Sequence, residues 1–323
     1  MKKITYSRNI FIPLTTACNN HCSYCNYRQE VKKAEIISLA EIDNLLRAAV
    51  QAGCKEVLFT SGSQPEKCPG FKEKLKNKTG FSSFVEFAIT ASQKALNLGL
   101  LPHSNLGVLS KKELKQLAKY NASLGLMLET TALVKAHRDS PTKEPKRRLK
   151  MIKEAGELKI PFTSGILLGI GEDKSDRVES LEQLRNLADQ YGHLQEVIIQ
   201  PVKTAEDANL KTPSQAELIQ TIRLAKDILP KEIAIQTPPN LVELATAIKA
   251  GVDDLGGISP LTKDHINPEH NWPRIKELKA EFPQLDFQER LAVYPEFINK
   301  RWLADPVWNC LKEKGWLNEY SNY

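Results

Sequence analysis

Eight short apolar runs, separated by seven helical segments, recur over roughly 250 residues of this chain. The runs are 9–15, 56–60, 100–104, 123–129, 162–169, 196–200, 232–236 and 254–259. Buried parallel strands read as continuous apolar runs because both faces are covered. The intervening segments carry helix signals. Ser38 and Glu41 have capping-box spacing ahead of a helix to about 52, ended by Gly53. Ser83 and Glu86 open a helix that stops at Gly99, and Ser110 with Glu113 opens the next. Further helices are expected over 145–158, within 175–191, over 214–228, and from Asn240 to 250. Strand–helix alternation of this length predicts an α/β fold, a parallel (β/α)8 barrel with helices outside. Residues 1–260 are read as the barrel. Residues 261–323 hold all four tryptophans and are read as a C-terminal extension packed on it in the same domain.

Three of the six cysteines, Cys18, Cys22 and Cys25, lie directly after the first run with the spacing C-x3-C-x2-C. A cubane of four irons and four sulfides normally takes four thiolates. Three leave one iron open to a small molecule. Structural zinc wants four ligands, so a zinc knuckle would have to borrow His21. A further alternative is three unrelated thiols. Asn19 and Asn20 suit a tight loop. Tyr24 sits next to the last cysteine, where its ring can flank whatever binds the open iron. Since barrel enzymes build sites at the carboxyl ends of their strands, the cysteine loop is expected at the barrel mouth.

Composition adds exclusions. With 41% hydrophobic and 26% charged residues, the chain is ordinary for a globular protein. No apolar run approaches the ~18 residues that span a bilayer, so no membrane association is expected. The net charge of +6 is spread over helical faces, with no basic block for nucleic acid. Cys54, Cys68 and Cys310 are scattered and suggest no disulfide framework. A cluster assembled under reducing conditions points to the cytoplasm.

The cysteine motif resembles the signature of the radical S-adenosylmethionine (SAM) superfamily. The resemblance implies a TIM-like barrel, a 4Fe-4S cluster on Cys18, Cys22 and Cys25, and SAM chelated at the open iron and cleaved to a 5'-deoxyadenosyl radical. Gly165-Ile-Leu-Leu-Gly169-Ile-Gly171-Glu172 resembles the superfamily's glycine motif beside the SAM adenine, which implicates Gly165, Ile166 and Gly169. Glu129 and Arg148 stand where related barrels contact the amino-acid and ribose parts of SAM. Gly62 and Ser63 follow strand two, where the superfamily often has Gly-Gly-Glu. Ser63 replaces the usual acid. Tyr24 completes the expected SAM set.

Longer stretches narrow the resemblance. They include Pro102-His-Ser-Asn-Leu-Gly-Val-Leu-Ser110, Leu124-Gly-Leu-Met-Leu-Glu129 and Gly256-Gly-Ile-Ser-Pro-Leu-Thr-Lys-Asp-His-Ile-Asn-Pro-Glu269 with Trp272-Pro273. Together they look like the CofG family over residues 8–273. That implies a carbon–nitrogen lyase acting on 5-amino-5-(4-hydroxybenzyl)-6-(D-ribitylimino)-5,6-dihydrouracil. Hydrogen abstraction, ring closure and loss of ammonia would give a deazaflavin. Implied partners are a CofH-type enzyme that makes the adduct, free or in a complex with this chain, and a reductant protein. Asn105, Thr163, Gln200 and Asn267 are candidate substrate contacts at strand ends. His103 and His137 are better read as structural histidines, and no general base is identified. Alternatives are a CofH-type or biotin-synthase-like radical SAM enzyme, or an iron–sulfur or zinc protein without catalysis.

Overall fold

The computed structural model describes residues 1–203 and 210–320. The strands are β1 (Lys2–Thr15), β2 (Glu56–Ser61), β3 (Leu101–Asn105), β4 (Ser123–Gly125), β5 (Phe162–Leu168), β6 (Leu194–Pro201), β7 (Ala234–Gln236), β8 (Asp254–Ile258) and β9 (Leu285–Arg290). The first eight pair in sequence order, all parallel, and β1 closes the barrel against both β2 and β8. The helices are α1 (Leu39–Gln51), α2 (Phe71–Thr79), α3 (Phe84–Asn97), α4 (Lys111–Leu117), α5 (Pro145–Glu157) and α6 (Lys174–Tyr191). They continue with α7 (Gln215–Ile228), α8 (Leu244–Ala250), α9 (Ile275–Glu281), α10 (Asp305–Glu313) and α11 (Trp316–Tyr320). The expected (β/α)8 barrel is therefore present.

The main core lies between helices and the outer strand faces. Ile10, Ile12, Val57 and Phe59 point outward onto Ile42, Leu46, Phe87 and Ala91. Alternate residues of the same strands, Asn9, Phe11, Glu56 and Leu58, point into the barrel. The capping boxes at Ser38 and Ser110 form as expected.

Several elements differ from the sequence expectation, among them a ninth strand. β1 begins seven residues early, at Lys2. Its lower half carries lysines and polar residues but is paired on both edges, by β8 and by β9. β9 takes the stretch of β1 edge, Lys2–Ser7, that lies below β2, which starts pairing at Asn9. β4 stops at Gly125, although single backbone bonds to β5 continue to Glu129. α2 lies in the stretch read as a loop. Its only buried residues are Phe71 and Leu75, one turn apart, too few to show helical periodicity. α8 starts at Leu244 instead of near Asn240. The Asn240 amide donates to Asp264 and to the His270 carbonyl, and Glu243 caps the helix.

After β9, Leu291, Val293, Phe297, Val307, Leu311 and Trp316 form a second apolar cluster around Leu101 and Ala122. Those two residues lie at the amino ends of β3 and next to β4. The extension thus plugs the lower end of the barrel and leaves the carboxyl ends of the strands open. No helix of the described residues is long and apolar enough to cross a membrane.

Candidate active site

The cysteine loop leaves β1 at Thr15 and is fastened at several points. Asn19 N–H donates to the Ser63 carbonyl (3.0 Å), His21 N–H to Asp139 (3.1 Å) and Ser23 N–H to Ala136 (3.1 Å). The Asn20 amide donates to Thr142 Oγ1 (2.6 Å) and its oxygen receives the Thr142 N–H (3.1 Å). Each sulfur has a protein donor. Cys18 Sγ accepts from the Ser63 and Asn20 N–H groups, and Cys22 Sγ from the Ser140 hydroxyl at 3.3 Å. Cys25 is served by the backbone of Arg28 and Tyr27. Burial pushes the Cys18 and Cys25 thiols up. These donors pull the other way, and the neighbouring thiolates add to the rise.

Gly62 presses directly on this loop. A Cβ there would fall 2.1 Å from the Ala17 carbonyl oxygen and 2.4 Å from Cys18 Cβ. Neither backbone can yield without moving the first cysteine. Gly62→Ala is expected to destabilise the protein by about 1–3 kcal/mol, the usual cost of overpacking. Urea unfolding measures this, and an unchanged midpoint would mean the loop is slack. Ser63, next in sequence, is a hub. Its hydroxyl accepts from Val108 N–H (3.0 Å) and from Thr142 Oγ1 (2.8 Å).

The β4–β5 side carries the second group of predicted residues. Glu129 sits at φ +70°, a left-handed conformation rare for residues with a side chain. It is held there by backbone bonds on both sides, donating to Gly165 (3.1 Å) and accepting from Leu167 (2.9 Å). Its carboxylate is buried against Lys143 and against Arg148 Nη2 at 3.4 Å. Burial alone would raise this carboxyl. Lys143 and Arg148 outweigh it and hold it below the usual range. Arg148 also donates to the carbonyls of Met127 (2.6 Å) and Thr142 (3.1 Å). Lys143 Nζ lies 5.7 Å over the Tyr24 ring, and Tyr24 Oη bonds His137 Nε2 at 3.0 Å. Burial pushes His137 down to about 4, so it is neutral at pH 7.

Gly165 has no room for a side chain, with Ile198 O 2.4 Å from its Cβ position. Ile166 forms the bridge to Glu129. Gly169, at φ +91°, donates to Glu172, whose carboxylate is clamped by Arg177 at 2.8 Å. The glycine turn is thus braced by its own acid.

Inside the barrel is a cavity of about 170 Å³. All four predicted substrate contacts, Asn105, Thr163, Gln200 and Asn267, line it. Thr163 donates to Glu196 (3.0 Å). Asn267 donates to Asp264, which also accepts backbone N–H groups of the loop after β8. The cysteines, Tyr24, Glu129 and Arg148 are not in this lining. They gather on the adjoining side, joined to the cavity through Met127, which lines it while its carbonyl holds Arg148.

The floor of the cavity carries charges. Arg290, the last residue of β9, grips Asp254 with two bonds of 2.6 and 2.8 Å and reaches Glu196 at 2.9 Å. Tyr294 Oη adds a bond to the same Glu196 oxygen at 3.0 Å. Glu56 is buried beside them, held by Ser7. Two carboxyls thus share one guanidinium, and Glu56 feels its charge without a bond to it. Burial and the nearby Asp254 push Glu196 up to about 7 although Arg290 opposes them, and burial raises Glu56 as well.

Residues 12–184, more than half of the chain, match the sequence profile of the Radical SAM superfamily. A Methanosarcina mazei protein named 7,8-didemethyl-8-hydroxy-5-deazariboflavin synthase is 44% identical, covering 99% of this chain and 96% of its own length. One of the same name from Archaeoglobus fulgidus is 45% identical over 95% of each. The chain belongs to the radical SAM deazariboflavin synthase family. Among solved structures, the hydrogenase maturase HydG from Carboxydothermus hydrogenoformans superposes with a TM-score of 0.71 at 18% identity. It covers 87% of this chain and 66% of its own. Methylornithine synthase (PylB) gives 0.62 at 19%, covering 89% and 84%. At these identities the likeness is one of fold.

Membership of the superfamily implies a 4Fe-4S cluster and SAM, and the residues fit such a group. A lone zinc would draw its thiolates to about 2.3 Å each. Among the described residues no three His, Cys, Asp or Glu converge on one such point. A cubane instead offers each thiolate its own iron, and donors already face the sulfurs, where hydrogen bonds tune a cluster's potential. For this deazariboflavin synthase family member, sequence reasoning missed Lys143, Ser140, Thr142 and the whole floor. One signal was available. Glu56, Glu196 and Asp254 each stand at or near the start of an apolar strand, and such a position in a barrel faces the lower interior.

Proposed function

We propose that this chain converts 5-amino-5-(4-hydroxybenzyl)-6-(D-ribitylimino)-5,6-dihydrouracil to 7,8-didemethyl-8-hydroxy-5-deazariboflavin (FO), with ring closure and loss of ammonia. The observation that carries this reading is the near full-length similarity, at 44%, to a protein named for FO synthesis. Cys18, Cys22 and Cys25 would hold the 4Fe-4S cluster by three thiolates. When bound, the cluster and SAM would supply a 5'-deoxyadenosyl radical that takes a hydrogen atom from the substrate.

The protein's own part is holding and excluding. Gly62 and Ser63 fix the cysteine loop, and both would border SAM there. Glu129, kept ionised by Lys143 and Arg148, would orient the polar groups of SAM. Tyr24 would flank it, and Gly165, Ile166 and Gly169 would let a flat base approach the backbone. The barrel interior, with Asn105, Thr163, Gln200 and Asn267 at its walls, would take the adduct away from bulk water. A CofH-type enzyme in the same cytoplasm would supply the adduct, and a protein reductant the electron.

The test is anaerobic reconstitution with iron and sulfide, then incubation with SAM, dithionite and the purified adduct. FO fluorescence and 5'-deoxyadenosine are expected together. Consumption of tyrosine and the diaminouracil in place of the adduct would reassign the chain to the preceding step. Absence of any 5'-deoxyadenosine would leave a cluster-binding protein only.

A further inference from the structure

Two side-chain oxygens in the lower half of the cavity have no partner. Asn9 Oδ1 and Gln236 Oε1 are buried acceptors without a donor among the described residues, on side chains only 3% and 4% exposed. Both residues line the cavity. Buried acceptors are almost always paired, so each such exception asks for a donor.

The fold makes room for these two amides. β8 places Gly256 and Gly257 in succession, and a side chain at either would push against one of these amides. A Cβ on Gly257 would lie 2.0 Å from Asn9 Nδ2, and one on Gly256 would lie 2.5 Å from Gln236 Nε2. Register fixes their depth. Asn9 pairs with Glu56 and Gln236 with Asp254, the residues that open β2 and β8. The Asn9 amide also bonds Glu56, a side chain that reads as an acceptor, which identifies the free Asn9 atom as its oxygen.

The surroundings are rich in acceptors and poor in free donors. Arg290 is spent on Asp254, Glu196 and the Leu291 carbonyl. His103 is neutral. The Ser123 proton goes to Ala292 O (2.5 Å), so His103 donates from Nδ1 to Ser123 (2.7 Å) and presents Nε2 as an acceptor. The mouth differs in character, with Met127, Leu241 and Ile266 after strand ends and Trp272, whose buried Nε1–H is an unpaired donor.

We propose that the lower cavity is a polyol subsite in which Asn9 and Gln236 accept hydroxyls of the substrate's ribityl chain, aiming the ring system at the mouth. This rests on the FO-synthase reading and adds an orientation to it. A pyrimidine edge brings carbonyl acceptors along with its N–H donors and would set like against like. A phenol brings one donor. A polyol brings a flexible row of donors and suits both oxygens. Water meets their need until hydroxyls displace it.

The test titrates two probes by fluorescence into the reconstituted protein with SAM and no reductant. One is FO, and the other is its analogue with methyl in place of the ribityl chain. Wild type should bind FO about tenfold or more tightly than the analogue, the worth of one to two satisfied hydrogen bonds. Gln236→Leu and Asn9→Ala should each weaken FO about tenfold and leave the analogue within about twofold. Melting curves check that the variants fold. Should Asn9→Ala fail to fold because Glu56 loses one of its two partners, Gln236→Leu carries the result. Equal wild-type affinity for both probes, or parallel loss of both in the variants, overturns the subsite alone. A wild type that neither forms nor binds FO overturns the proposed function, and the subsite with it.

Discussion

Replacing Cys18, Cys22 or Cys25 singly by alanine is expected to abolish FO and 5'-deoxyadenosine formation while leaving the barrel folded. Removal of an outer-shell partner of a metal ligand already costs about 10–100-fold. Loss of a ligand itself should exceed the upper end of that range. The fold should survive because the loop is anchored by bonds that do not use sulfur, from Asn19, Asn20, His21 and Ser23. Denaturant midpoints should therefore stay near wild type, while iron and sulfide per chain collapse. Ser140→Ala removes only a donor to Cys22 and should cost far less. Cys54→Ala is the control. Cys54 is buried and donates to the Asn9 carbonyl at 3.4 Å, so its loss should touch stability and spare the iron. If Cys54→Ala loses the cluster as completely as Cys18→Ala, the ligand set is wrong.

The barrel and the cysteine loop were legible in the sequence for the same reason. Both depend on local spacing, apolar runs for one and three thiols in eight residues for the other. Glu129 and Arg148 were visible too, nineteen positions apart at a strand end and on the next helix. What could not be read is what the fold assembles from distant points. Lys143 lies in a connection without periodicity, so nothing marked it as the closer partner of Glu129. The floor needs Glu56, Glu196 and Asp254 from three strands and Arg290 from a fourth. Its last contributor sits in β9, whose sequence Leu-Asp-Phe-Gln-Glu-Arg is mixed in polarity because it is a ninth strand outside the closed ring. Asn9 and Gln236 looked like ordinary strand residues. Only the missing side chains of Gly256 and Gly257 reveal why amides point inward there.

That floor sets the second large effect, Arg290→Met. Removing one partner of a buried ion network leaves uncompensated charge, at a cost of about 3–5 kcal/mol. Here the cost should depend on pH, because the stranded groups can take up protons. Glu196 rises to about 7 and Glu56 rises with it, chiefly through burial, against an unfolded carboxyl near 4.3. Across that window the folded state holds more protons than the unfolded state. The contribution of these groups to stability therefore falls as pH rises from about 4.5 toward 7. Arg290 opposes both rises. Without it the fall is steeper and extends to higher pH. Urea unfolding should thus show the full loss at pH 8 and a smaller one at pH 5, where the carboxyls are closer to neutral. Adding Glu196→Gln and Asp254→Asn to Arg290→Met should recover part of the stability at pH 8, since neutral amides need no cation. An equal loss at both pH values, with no recovery in the triple variant, would mean that Arg290 acts by filling space beneath the cavity and not by balancing its charge.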